Sequence, residues 1–197
     1  MNQLVNNLEH RIISGWVFKG ASVLDLGCGN GDLLSLLIRE RHIHAQGIDL
    51  SDQAIHNCIV KGLSVIQEDI DKGLSEYSNH FFDFVILNQT FQQVKKPDFV
   101  LKEALRVGKK IIVSFPNFLH IAARFQMFFR GKVPVTPSLP YEWHDTPNLH
   151  FLSIADFREF CKIRNIRIER SAFITKSKII NLLPNLLAET GFFLLSK

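Results

Sequence analysis

Residues 23–34 read VLDLGCGNGDLL, an apolar run, one acid, and glycine at positions 27, 29 and 31. This stretch limits the fold more than any other. Consecutive apolar residues ended by glycine describe a strand buried on both faces, as strands are in a parallel sheet. Glycine at alternate positions lets the chain turn tightly and lets a ligand approach the main chain. The following DLLSLLIRER, residues 32–41, has helical spacing, with Asp32 in its first turn and basic residues in its last, as the helix dipole favours. A strand, a glycine loop and a helix in that order turn unpaired main-chain N–H groups toward the loop, so a ligand site is favoured over a plain structural turn.

The same rhythm repeats downstream. IHAQGIDL, LSVIQEDI, FFDFVILN and KKIIVSFPN read as strands. SDQAIHNCIVKG reads as a helix capped by Ser51 and stopped by Gly62, and PDFVLKEALRVG as one opened by Pro97 and closed by Gly108. Residues 3–14, with Leu4, Leu8 and Ile12 near helical spacing, form an amphipathic helix ahead of them. Alternating strands and helices predict crossover units and a parallel sheet covered on both faces. Past Asn117 the pattern changes to an aromatic helix, FLHIAARFQMFFRGK, and a loop holding Pro134, Pro137, Pro140 and Pro147. SIADFREFCKIRN is then a helix capped by Ser153, and IRIERSAFI and TGFFLLSK close the chain as strands, the last expected at or near an edge and open to antiparallel pairing.

The 197 residues, 46% hydrophobic and 21% charged, suffice for one domain with a single substantial core, spanning 1–197 with residues 117–152 as an insertion. No basic-then-apolar leader and no apolar run near the roughly twenty residues of a membrane span appear, so a soluble, cytoplasmic protein is expected. Cys28, Cys58 and Cys161 are too scattered for a disulfide framework or a zinc site and read as buried or loop thiols; no metal spacing is present. Residues 1–100 hold 8 basic and 12 acidic side chains, the remainder 15 and 7. That asymmetry reads first as a solvated surface, and no recognition-helix or stacking motif supports nucleic-acid binding.

The glycine spacing separates two ligand classes. Dinucleotide folds use G-x-G-x-x-G; here it is G-C-G-N-G, one residue tighter, with Asp25 just before it. Asp49 ends the second strand 20 positions after Gly29, the offset of a ribose-binding acid, and Asp69 ends the third, where an acid accepts from an adenine amino group. From about Val23 to Phe115 these residues resemble the class I S-adenosylmethionine (SAM)-dependent methyltransferases. The resemblance implies an α/β, Rossmann-like fold with a seven-stranded, mostly parallel sheet, helices on both faces and a helix-loop insertion after strand 5. It also implies that Gly27, Cys28, Gly29, Asn30 and Gly31 wrap the methionine moiety and Asp25 meets its amino-acid end. Asp49 then holds the ribose hydroxyls, Asp69 and Ile70 flank the adenine of SAM or S-adenosylhomocysteine, and Leu50 is a further cofactor-binding residue. The competing reading of Asp49 is a cap on the next helix.

Catalytic equipment is sparse. LNQTFQQV at the tip of strand 4 offers Asn88, Gln89, Thr90, Gln92 and Gln93, which orient an acceptor or bind cofactor but take no proton near neutral pH. The proline-bounded 140–153 segment gathers Tyr141, Glu142, Trp143, His144, Asp145 and His150. His144 and Asp145 make a base and its orienter only if the loop folds them together, against a rigid lid or docking loop. Phe118, Leu119, Ile121, Phe125, Met127, Phe128 and Phe129 outnumber one buried stripe, leaving an apolar docking patch, cover for the sheet or a shallow membrane contact. LNQTFQQVKKPDFVLKEALRVGKKIIVSFPNFLH and GKVPVTPSLPYEWHDTPNLHFLSIADF resemble the MetW methionine-biosynthesis family over nearly the whole chain. That resemblance implies a SAM-binding accessory subunit that works with, and activates, a homoserine O-acyltransferase. The alternative is an active small-molecule methyltransferase using Tyr141, His144 or Asp145; a dehydrogenase is more distant.

Overall fold

Strands that are apolar at every position need cover on both sides, and the computed structural model supplies it. It describes residues 2–176 and 178–197, with side chains from residue 8 onward; the side chain of Leu4 lies outside the described residues. The sheet runs β3 (Val65–Gln67), β2 (His44–Asp49), β1 (Ser22–Leu26), β4 (Phe82–Asn88), β5 (Gly108–Pro116), β8 (Thr190–Ser196), β6 (Arg167–Thr175) and β7 (Lys178–Ile179). The first five are parallel; β8 is antiparallel to both β5 and β6, and β7 to β6. This is the expected α/β architecture, a mostly parallel sheet with helices on both faces.

The period-2 geometry of β4 divides its apolar residues between two cores. Phe84 and Ile86 pack with Ile13 of α1 (Asn2–Trp16), Val17 just after it, and Leu33 and Leu37 of α2 (Asp32–Arg41). Val85 and Leu87 pack with Val100, Leu101 and Ala104 of α4 (Pro97–Val107) and Phe157 and Cys161 of α6 (Ile154–Ile163). In that second core the Phe157 ring lies 4.9 Å from Phe115 and 4.8 Å from Phe193. Burying each such ring contributes about 1.5–3 kcal/mol. Among the described residues α3 (Asp52–Val60), α5 (Ile121–Arg130) and α7 (Pro184–Leu187) complete the helices, with one 3-10 turn at Ile70–Lys72.

Two expectations are corrected. The sheet has eight strands rather than seven, because Ile174 and Thr175 pair with Ile179 and Lys178 in a two-residue strand too short to leave a periodic signal. The final strand is antiparallel, as its sequence allows, but it lies two strands in from the edge instead of at it: β8 sits between β5 and β6, with every residue from Thr190 to Leu195 buried. That position pairs both of its main-chain edges and covers both faces of GFFLL, which an edge strand would leave half wet.

Strand order reverses at β1, with β2 on one side and β4 on the other. At such a switch point the loops leaving adjacent strands diverge and open a crevice at the carboxyl ends.

Candidate functional site

The glycine loop is fastened to β2 by main-chain bonds. Gly27 N and Cys28 N both donate to Ile48 O, at 2.7 and 3.0 Å. Gly29 N donates to Asp49 Oδ2 at 2.8 Å and Ser51 N to Asp49 Oδ1 at 2.9 Å. The Asp49 carboxylate is therefore oriented by two amides, one from the loop and one from the start of α3. The cap on α3 itself is Ser51, which accepts from Ala54 N. Asp49 thus ties the loop to the helix start instead of serving as the cap.

Gly29 and Gly31 both have left-handed φ, 52° and 74°, but face different surroundings. A Cβ on Gly31 would sit 2.3 Å from Leu63 Cδ1 and 2.8 Å from Cys58 Sγ, so this glycine serves the packing of α2 on α3. A Cβ on Gly29 would meet nothing within 4 Å, and Gly29 itself lines the crevice.

That crevice is a cavity of about 380 Å³. Its walls include Gly27 and Gly29 from the loop, Asp49 at the end of β2 and Leu50 after it, and Glu68, Asp69, Ile70 and Asp71 beyond β3. Asn88, Gln89, Thr90, Gln93 and Val94 close the side after β4. Four carboxylates line it and no Lys, Arg or His does. Asp71 is pinned, accepting from Lys96 N and Lys95 N at 2.8 and 2.9 Å, while Asp69 accepts from Asp71 N at 3.0 Å.

Asp25 lies behind the loop, 2% exposed, and its Oδ1 is buried without a hydrogen-bond partner among the described residues. Burial, reinforced by the nearby charge of Asp49, pushes its carboxyl up to about 7. Cys28 faces away from the cavity into a small cluster with Leu34 and Cys58, and burial raises both thiols. Asn30 is turned outward, its Oδ1 accepting from Asn57 Nδ2 at 2.8 Å.

Gln89 has a left-handed φ of 58°, an uncommon state for a residue with a side chain and one that concentrates at binding sites. Its N–H is held by Ser114, whose hydroxyl in turn donates to Asn88 Oδ1 at 2.6 Å. Its carbonyl accepts from Gln92 Nε2 at 2.8 Å and Gln93 Nε2 at 3.0 Å. Gln92 O then takes N–H bonds from Leu149 and His150, anchoring the 140–153 loop beside the site. Gln92 Oε1 and His150 Nε2 are buried without partners among the described residues.

Of the twelve residues read as cofactor-binding, eight line the cavity: Gly27, Gly29, Asp49, Leu50, Asp69, Ile70, Asn88 and Gln89. Asp25, Cys28, Asn30 and Gly31 stand behind or beside it. Glu68, Asp71 and Val94 also line it and were not singled out, although Glu68 and Asp71 lie within two residues of Asp69. Tyr141, His144 and Asp145 are exposed, and none lines the cavity. His144 and Asp145 share no hydrogen bond among the described residues; the His144 ring instead lies edge-on to Trp143, centroids 5.5 Å apart.

A family profile described as methionine biosynthesis protein MetW matches residues 7–195. The bifunctional methionine biosynthesis protein MetXA/MetW of Rhodopirellula baltica is 36% identical over 177 residues, a match covering 85% of this chain and 28% of that one. This chain therefore spans less than a third of that relative. The ubiquinone biosynthesis O-methyltransferase of Neisseria meningitidis serogroup C is 23% identical over 175 residues, 80% of this chain and 69% of that one. A SAM dependent methyltransferase of known structure from Archaeoglobus fulgidus superposes with a TM-score of 0.69 at 15% identity, covering 95% of this chain and 94% of that one. Identity that low speaks for the fold alone.

Proposed function

The chain belongs to the MetW family of methionine biosynthesis proteins, and from that premise we propose that it is a SAM-binding accessory subunit that activates a homoserine O-acyltransferase. The observation that carries the accessory role is the Rhodopirellula baltica relative, one polypeptide that bears both the MetXA and the MetW names. Fusion keeps two cooperating folds at high effective concentration, which free subunits must reach by docking.

The crevice suits SAM on three grounds. Four carboxylates in a lining that holds no Lys, Arg or His repel a pyrophosphate and attract a ligand carrying a sulfonium and an ammonium. The space beside Gly29 admits a group against the main chain. The unpartnered Asp25 Oδ1 gains a partner when an ammonium arrives, directly or through water. On this reading the Gly27–Gly31 loop, through the main chain of Cys28 and Asn30, wraps the methionine part. Asp49 with Leu50 takes the ribose, Asp69 and Ile70 the adenine, and Asn88 and Gln89 the opposite wall. S-adenosylhomocysteine lacks the sulfonium charge and benefits less from the acids. The described residues contain no helix long and apolar enough to cross a membrane.

The likeness to an O-methyltransferase favours a second reading, catalysis of methyl transfer. The wall after β4 weakens it, since Asn88, Gln89, Thr90 and Gln93 hold no proton acceptor for neutral pH. Tyr141, His144 or Asp145 would then have to serve the acceptor from the loop. The deciding experiment titrates the purified chain into its homoserine O-acyltransferase, with and without SAM, following acyl transfer and, by calorimetry, association. Acyl transfer rises on adding the chain, and the dissociation constant changes with SAM. No effect on activity sinks the accessory role; equal affinity with and without SAM excludes coupling between the sites. Labelled SAM turned over with an acceptor, and lost in Tyr141→Phe or His144→Ala, would favour the second reading.

A further inference from the structure

Helix α5 presents its apolar side to solvent. Ile121, Phe125, Phe128 and Phe129 recur at i, i+4, i+7 and i+8, one stripe of a helix. All four are exposed, Phe128 to 83%, while Ala123 is the helix's buried residue. The Phe129 ring lies 4.3 Å from Phe125 and 4.9 Å from Phe128, so the stripe is a continuous aromatic ridge. Its orientation is fixed: Gln126 donates to Val135 O at 2.9 Å and accepts from Val135 N at 3.2 Å, clamping the helix's flank to the next loop. Arg130 and Lys132 stand exposed at the helix's carboxyl end and enter no ion pair among the described residues.

We propose that this ridge docks into an apolar, acid-rimmed groove on the homoserine O-acyltransferase; the inference rests on the accessory role argued above. Anchors at this spacing are the form a helix takes when it lies in another protein's groove. Clustered aromatics beside arginine match the centre of an interface rather than its rim. The occupant follows from the fused relative, in which a segment like this chain takes 28% of a polypeptide that also bears the MetXA name. A MetXA-type surface is there held beside the same fold. The basic residues at the end of the helix call for acids at the groove's rim. α5 follows β5 almost directly, so it leaves the sheet at the carboxyl end of that strand, the end of the sheet that carries the crevice.

The test compares the full chain with the double variant Phe125→Glu/Phe128→Glu and with Arg130→Glu, each titrated calorimetrically into the purified acyltransferase. Both phenylalanines are exposed, so thermal unfolding curves of the variants should overlay that of the unsubstituted chain. The double variant raises the dissociation constant at least about 100-fold, as loss of central aromatic anchors does. Arg130→Glu raises it less, and its effect fades with added salt. Undiminished acyltransferase affinity in the double variant overturns the proposal. It is equally overturned if that affinity persists while light scattering shows a dimer becoming a monomer, or while binding to anionic phosphatidylserine vesicles is lost. Those results assign the ridge to a second copy or to a membrane. Failure of the unsubstituted chain to bind the acyltransferase defeats the accessory role and this surface together. Binding that survives in the double variant defeats only the surface.

Discussion

Gly29 and Gly31 sit two residues apart, share a left-handed conformation and should respond differently to the same substitution. Alanine at either costs about 1–2 kcal/mol for the strained backbone. At Gly31 the added methyl also meets Leu63 and Cys58, and such overpacking costs typically another 1–3 kcal/mol. Urea unfolding should rank Gly31→Ala well below Gly29→Ala in stability. SAM affinity should rank them the other way, with Gly29→Ala weakened at least about tenfold by the group placed in the crevice, and equal affinities would dissociate ligand from loop. The spacing of these glycines and the distance to Asp49 were legible in the sequence because both express local backbone needs. Glu68, Asp71 and Val94 were not, since the stretch after β3 and the stretch ahead of α4 reach the crevice only through tertiary placement. The inward turn of Cys28 was hidden for the same reason.

Most helices and strands declared themselves through caps and period. α6 is the strongest case: Ser153 Oγ accepts from Asp156 N at 3.2 Å, and Asp156 Oδ2 accepts from Ser153 N at 2.8 Å, a reciprocal capping box. Ser153→Ala should lower stability by about 1 kcal/mol, with an unchanged denaturant slope in urea unfolding. Direction is what periodicity conceals. The stripe on α5 is plain in the sequence, but nothing local tells whether it faces the sheet or water. β7 and α7 escaped notice because two and four residues carry no periodic signal. The neighbours of β8 were out of reach for another reason: an apolar run announces burial without naming its partners.

At the scale of the molecule, two buried carboxyls bias stability toward acid. Burial pushes Asp25 and Glu9 each up to about 7. The folded state therefore holds protons that the unfolded chain has released above about pH 4, and stability from these groups falls as pH rises from about 4 to about 7. His10 and His120, both lowered by burial, pull the other way below about pH 6.5. The comparison must therefore be internal. Relative to Asp25→Asn, the native chain should lose several degrees of melting temperature between pH 5 and pH 7.5, and parallel curves would contradict the buried charge. SAM binding below pH 7 should release protons, as an ammonium draws Asp25 into its ionised form; calorimetry in buffers of different ionisation heat reads this directly. The inboard seat of β8 also governs the order of assembly. The chain makes β6 and β7 before β8, yet these cannot join the sheet until β8 has slotted against β5. Until then they are a flap with no frame to close on, so the slow step of folding belongs to that late insertion rather than to the half that grips the ligand.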